Sequence, residues 1–248
     1  VDRLLQAIES KETIGVFGDF DTDGISGTAL LTRGLENLGL KVFPYVPHRV
    51  DEGHGISPQS LDFFSSKDVT LLITVDCGVT SIDEIQKALD MGIETIVTDH
   101  HTALDGMPHA IAIVNPSLPN SSYPFKYLTG VGTAFKVMQA LYQRKKIELP
   151  DELYVYVTLG TISDVGLMRD ENRYLVSKGM DVLRKSEFVS LDALIKVSNA
   201  SKKNLSTQDM SFGIIPRINV AGRLDHAKLS LMLLLSSDKS EAKRLAEE

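Results

Sequence analysis

Apolar and polar positions along the first half of the chain fall into short blocks of two kinds. Val1 to Ser10 places Leu4, Leu5 and Ile8 on one helical face. Ile14 to Phe17 is an apolar run of strand length, and Gly24 to Leu38 reads as a helix with Gly39 as its stop. Lys41 to Val46 is a second strand, ended by Pro47. A polar loop follows from His48 to Ser60, and Leu61 to Ser66 starts a short helix. Val69 to Val75 is almost continuously apolar, the pattern of a strand buried on both faces. Ile82 to Met91 is a helix stopped by Gly92, and Ile93 to Val97 and Ile111 to Val114 are further strands. Strand and helix alternating at this rhythm predict βαβ units and a mostly parallel sheet flanked by helices, an α/β fold.

The rhythm changes after about Asn115. Ser117 to Tyr127 is loop-like, and Gly130 to Lys146 is a helix. Asp151 to Asp164 fits helix or strand; helix is favoured because Leu153, Tyr156, Val157 and Gly160 fall at helical spacing. Leu175 to Leu183 and Val189 to Val197 read as helices, Lys202 to Gln208 as a loop, and Ala227 to Glu248 as one or two helices. The expectation is one domain over 1–248, with a parallel α/β part over 1–116 and a mainly helical part over 117–248.

Chemistry gathers at the ends of the expected strands. The first delivers Asp19, Asp21 and Asp23, the third Asp76, and the fourth Asp99, His100 and His101. Open α/β sheets keep their ligands past the carboxyl ends of strands. Neighbouring strands lie about 5 Å apart, so these side chains can converge on one or two ions. Carboxylates with an imidazole suit Mn²⁺ or Mg²⁺ better than a thiolate-seeking metal. Asp76, on the middle strand end, is the natural bridge between two ions. A calcium loop fails, because its twelfth position would be Leu30 where a bidentate Glu is required. An acidic turn that caps the following helix stays open as the plainer reading. His100 can bind metal while His101 faces substrate, whereas Cys77 reads as a small buried residue.

Composition changes the picture little. The 248 residues are 43% apolar, enough for a substantial core, and the single Cys77 excludes an intramolecular disulfide. No apolar stretch has transmembrane length, so no membrane partner is expected and the cytoplasm is the expected location. The net charge of −7 is unlike that of most nucleic-acid binders, though a carboxylate metal site contributes to it. Arg217 and Arg223 would by default be surface arginines in weak ion pairs, but the small residues Ala221 and Gly222 between them allow close approach to a ligand.

Four motifs carry a resemblance: Gly18-Asp-Phe-Asp-Thr-Asp-Gly24, Thr74-Val-Asp-Cys-Gly78, Asp99-His-His101 and Gly160-Thr-Ile-Ser-Asp-Val165. Their order resembles that of the DHH phosphoesterase superfamily. Pro47 to Gly55, Leu128 to Lys136 and Pro216 to Leu224 are most similar to its RecJ branch of single-strand-specific 5′→3′ exonucleases. The resemblance implies Asp21, Asp23, Asp76, His100 and Asp164 as ligands of two Mn²⁺ or Mg²⁺ ions. It implies that Asp19 and Asp99 orient ligands and that His101 contacts the scissile phosphate. Arg217, Asn219 and Arg223 would reach phosphate or terminal nucleotides, with Arg49 helping from the long loop. The implied substrate is single-stranded DNA, cut to 5′-mononucleotides in repair and recombination, with a single-strand-binding protein or helicase as a candidate partner. Alternative readings within the superfamily are a phosphodiesterase for oligoribonucleotides, phosphoadenosine phosphate or cyclic dinucleotides, and a non-catalytic replication scaffold. The chain departs from some relatives in carrying Phe17 where they have a metal-binding His. It also reads as ending at Glu248 in a connecting helix, without the DHHA1 domain that usually follows.

Overall fold

The structure, a computed structural model, describes residues 1–103, 106–223 and 227–248, with no side chains described over 220–223. Five strands form one parallel sheet in the order β2-β1-β3-β4-β5. They are β1 (Thr13–Gly18), β2 (Lys41–Tyr45), β3 (Leu71–Val75), β4 (Glu94–Thr98) and β5 (Ala112–Val114). The chain runs outward from β1 to β2 and then returns to β3, so the crevice where strand order reverses lies between β1 and β3.

Side-chain alternation divides the core into two layers. Ile14, Val16, Leu71, Ile73, Val75 and Ile96 face one cluster, shared with α2 (Thr22–Glu36), α5 (Gly130–Lys145) and α6 (Glu152–Ser163). Phe17, Leu72 and Val97 face the other, against α3 (Pro58–Ser65) and α4 (Ile82–Asp90). A sheet buried on both faces needs continuous apolar strands, and β3 is buried at all five positions.

The remaining helices are α1 (Asp2–Ser10), α7 (Asp170–Lys185), α8 (Val189–Val197), α9 (Thr207–Asp209), α10 (Ile215–Arg223), α11 (Ala227–Leu235) and α12 (Lys239–Glu247). α5, α6 and α11 pack on α2, α7 packs on α6, and α12 packs on α8. The later helices thus complete the core begun by the sheet. α6 is buried at nine of its twelve positions, which explains why its periodicity left helix and strand open.

Several boundaries move for identifiable reasons. α2 begins at Thr22 because the Asp21 side chain accepts from the Gly24 N–H and caps it. α3 begins at Pro58, three residues before the expected start, because Ser57 and Ser60 form a capping box and Pro58 opens the first turn. α7 begins at Asp170, five residues early. The stretch read as a loop after Lys202 holds a 3₁₀ turn over Lys202–Asn204 and the start of α9 at Thr207. A π turn, Met210–Ile214, then joins α9 to α10.

Phe135 is fully buried in the layer between the sheet and α2. Phe135→Ala is expected to cost about 3–5 kcal/mol in urea unfolding. A loss under about 1 kcal/mol would place it outside the load this packing describes.

Candidate metal centre

Register brings the acids together. Gly18 pairs with Val75 and Val75 with Thr98, so Asp19, Asp76 and Asp99 follow at one level on three adjacent strands. All three are buried. Asp76 takes φ 61°, the left-handed region that few residues other than Gly, Asn and Asp adopt, while its N–H still donates to Thr98 O at 3.0 Å. The chain leaves β3 there with the Asp76 side chain turned into the crevice, where it lines a cleft of about 480 Å³ together with Asp19, Asp21, His100, His101 and Asp164.

The second group comes from α2. Asp21 caps this helix, so the plain capping reading is correct for that residue and does not remove it from the site. Asp23, in the first turn, accepts from the N–H groups of Gly130 at 2.7 Å and Val131 at 3.0 Å, the first residues of α5. A helix N-terminus stabilises negative charge placed there. The approach requires bare backbone. A Cβ on Gly130 would lie 2.4 Å from Asp76 Cβ, and one on Gly160 would lie 2.3 Å from Asp23 Oδ1. Burial first, then the charges of Asp21 and Asp164, push the Asp23 carboxyl up to about 7 against the pull of those two N–H groups. Burial likewise raises Asp19, Asp164 and, furthest above the usual range, Asp76.

The third group is the end of β4. Asp99 Oδ1 accepts from the His100 N–H at 2.7 Å and lies 2.8 Å from His101 Nδ1, while Oδ2 accepts from the Val79 N–H at 3.0 Å. Burial disfavours the Asp99 charge, but these hydrogen bonds outweigh it and hold its carboxyl below the usual range. Asp99 in turn raises His101, which is half-exposed in the cleft. His100 is lowered, chiefly by burial and then by the neighbouring His101. Its Nε2 lies 3.0 Å from Asp76 Oδ1 and 4.0 Å from Asp23 Oδ2, and its Nδ1 lies 4.0 Å from Asp164 Oδ2.

Asp76 Oδ1 is buried and receives no hydrogen bond; the close His100 nitrogen is out of hydrogen-bond alignment with it. An unpartnered anionic oxygen beside an uncharged imidazole is costly in a protein interior, and a cation between them removes the cost. Three triads have ligand atoms within 4.8 Å of one another: Asp76, His100 and His101; Asp23, His100 and Asp164; and Asp19, Asp21 and Asp76. Asp76 and His100 each belong to two of them. The donor set is oxygen with imidazole, which fits hard divalent ions.

The expected residues therefore divide. Asp21, Asp23, Asp76, His100 and Asp164 meet at one place, with Asp19 and His101 beside them. Asp19 offers a ligand atom of its own and also lies 3.1 Å from His54 Nδ1. Phe17, at the position where some relatives carry a His, is buried in the second core layer and stacks on Tyr45 at 5.9 Å. Asn219 meets the protein: its Oδ1 accepts from the Thr22 N–H at 3.0 Å and the Thr22 hydroxyl at 2.7 Å, pinning the acidic loop to α10. Arg217, two residues earlier and so on another face of the helix, donates to the carbonyls of Gly213 and Val197. The Arg223 side chain lies outside the described residues. Arg49 stands over the Phe20 ring at 5.0 Å, and His54 packs on the same ring at 4.4 Å. Cys77, expected to be buried, is partly exposed and lines the cleft; burial of its sulfur, then nearby carboxylates, push its thiol well up.

Sequence reasoning missed Gly130 and Val131 as charge-stabilising donors, His54 as a partner of Asp19, and Asn115, whose amide donates to His101 O at 2.8 Å. The Gly-x-Gly after Thr129 was the available signal for a backbone approach at the start of α5.

The sequence model of the DHH family, N-terminal domain, matches residues 13–161. The chain belongs to the DHH family. The match spans β1 through α6 and ends three residues before Asp164. The chain is 38% identical over 247 residues to the single-stranded-DNA-specific exonuclease RecJ of Bacillus subtilis (strain 168), covering 100% of this chain and 31% of that one. A crystal structure of exonuclease RecJ bound to manganese superposes with TM-score 0.90 at 36% identity, covering 99% of this chain and 62% of that one. RecJ from Thermus thermophilus, in complex with Mn²⁺, gives 0.85 at 34% identity over 99% of this chain and 35% of that one. The chain spans less than half the length of the curated relatives it matches.

The raised carboxyls set a pH dependence for this DHH chain without metal. Each stays protonated in the fold to higher pH than in the unfolded chain, so the unfolded state binds fewer protons between the ordinary 3.8 and, for Asp23, about 7. Stability then falls as pH rises through that window. With EDTA, Tm is expected to be lower at pH 8 than at pH 5. Added Mn²⁺ is expected to raise Tm by about 5 °C or more at pH 8 and by much less at pH 5. Equal Mn²⁺ effects at both pH values would contradict the account.

Proposed function

We propose that this chain is the catalytic DHH portion of a RecJ-like exonuclease, which removes 5′-mononucleotides from single-stranded DNA by metal-assisted phosphodiester hydrolysis. The observation that carries the reading is the buried, unpartnered Asp76 Oδ1 beside His100 Nε2, at the meeting point of three acidic segments. The 38% identity to a single-stranded-DNA-specific exonuclease over the whole chain supports that substrate over short oligoribonucleotides or cyclic dinucleotides. In this reading Asp21, Asp23, Asp76, His100 and Asp164 hold two divalent ions, with Asp19 available beside Asp21 and Asp76. Mn²⁺ or Mg²⁺ bound there would acidify water and neutralise charge on the phosphoryl oxygens.

The protein's own groups do the positioning. Asp99 holds His101 through Nδ1 and favours its protonated form, leaving Nε2 to donate to a non-bridging phosphate oxygen. Asn115 fixes the backbone carbonyl of His101. Asn219 holds Thr22 between Asp21 and Asp23, so α10 sets the geometry of the acidic loop. Arg49 and His54 bracket Phe20 at the cleft mouth, where a terminal phosphate or nucleotide would enter. Single strands reach such an enzyme in the cytoplasm from a helicase or a single-strand-binding protein, and these are the partners the reading implies.

The test is Mn²⁺-dependent release of labelled mononucleotide from 5′-labelled single-stranded DNA. Wild type is expected to release it. Asp76→Asn is expected to lose more than about 100-fold, beyond the range for loss of an outer ligand-orienting group. Release from dinucleotides but not from long strands would move the substrate to the small-molecule branch. Mn²⁺ binding with turnover of neither would favour a scaffold.

A further inference from the structure

Beside Asp164 the surface turns apolar. Val165 is 87% exposed, and Leu167, Met168 and Tyr127 are also exposed. They come from two segments: the chain leaving α6 and the chain entering α5. Asn172, fully buried, ties the two together, its amide donating to Tyr127 O at 2.7 Å and Leu167 O at 3.2 Å. Gly166 lies against Thr129, where a Cβ would come within 2.9 Å of Cγ2. The patch therefore borders the cleft on the side that holds Asp164 and the start of α5.

Val165 is held at φ 54°. A β-branched residue in the left-handed region is strained, and burial does not repay it here, because the side chain lies in solvent. Glycine would meet the same backbone without strain. The fold gains nothing visible from the valine side chain, which projects beside the reaction centre.

The charges around the patch are mostly positive. Lys126, Arg169 and Arg173 are exposed, and none is paired with a carboxylate among the described residues. Asp170 is exposed beside them, while Glu171 is turned to Lys136 at 3.1 Å and to the Tyr123 hydroxyl. In a chain of net charge −7, three cations with no carboxylate partner among the described residues, beside an apolar shelf, are a local reversal.

We infer that Val165, Met168 and Tyr127 form a stacking shelf for the bases of a single-stranded nucleic acid, with Lys126, Arg169 and Arg173 along its backbone. This inference rests on the nuclease reading above and names the face that carries the strand beyond the reacting phosphate. Aromatic and aliphatic faces accept any base, and flanking cations follow the phosphates, so the shelf binds strands without reading sequence. A duplex, with its bases already stacked, offers the shelf nothing.

Fluorescence anisotropy of a fluorescein-labelled 20-nucleotide DNA tests it on the intact chain without turnover. Val165→Gly and Tyr127→Ala are each expected to weaken binding about tenfold and to leave Mn²⁺ affinity unchanged. Ile147→Ala, at an exposed position past the far end of α5, is the control expected to bind normally. Arg169→Ala is expected to flatten the salt dependence of binding. In turnover, Val165→Gly is expected to lower kcat/KM about tenfold on the 20-mer and less than twofold on thymidine 5′-monophosphate p-nitrophenyl ester, which has no neighbouring nucleotide. Binding within twofold of wild type for both shelf variants would overturn the inference, as would parallel losses on 20-mer and ester. Shelf-dependent binding without hydrolysis would keep the shelf and sink the exonuclease.

Discussion

Six aspartates crowd one crevice, and their mutual repulsion in a buried place is the constraint on which the surrounding structure depends. Asp19 and Asp76 end adjacent strands at one level, and Asp21, Asp23 and Asp164 are brought in from the two ends of α2 and α6 that face them. Left alone, such a cluster opposes folding. The chain offsets part of that cost with backbone dipoles, the two N–H groups of α5 on Asp23 and the N–H groups on Asp99, and with the His101 imidazole on Asp99. Asp76 receives no such help at Oδ1. The arrangement stops short of neutrality where a divalent ion completes it.

The rest of the fold makes that arrangement rigid. A sheet buried on both faces fixes strand ends to a fraction of a residue, because a one-residue slip would exchange the two core layers. Helices α5 and α6 approach α2 closely enough to touch the acids only because Gly130 and Gly160 lack side chains. The strained φ of Asp76 is retained against its cost by the continuing ladder contact to Thr98.

The strands were legible because buried parallel strands are continuous apolar runs with chemistry at their ends; Asp21, Asp76 and His100 stand out on that ground alone. Register was not legible, since nothing in the pattern says that Gly18, Val75 and Thr98 lie level. Asp164 entered only through resemblance. An Asp closing a helix that is apolar on every side has no local signature. The contact between Asp23 and α5 spans 107 positions and is made by backbone, which carries no side-chain pattern. Asn219, expected at substrate, has its Oδ1 engaged by Thr22, because α10 folds back onto the start of α2. A π turn over Met210–Ile214 followed by Pro216 breaks the helical pattern at the start of that segment, so the sequence assigned it no element.

Isothermal titration of the metal-free chain with Mn²⁺, beside Asp76→Asn and Asp164→Asn, tests most directly whether the crevice exists to hold cations. Two ions per chain are expected for wild type, with both sites weakened by Asp76→Asn and one by Asp164→Asn. Binding of Mn²⁺ by Asp76→Asn with wild-type affinity and stoichiometry would contradict the account.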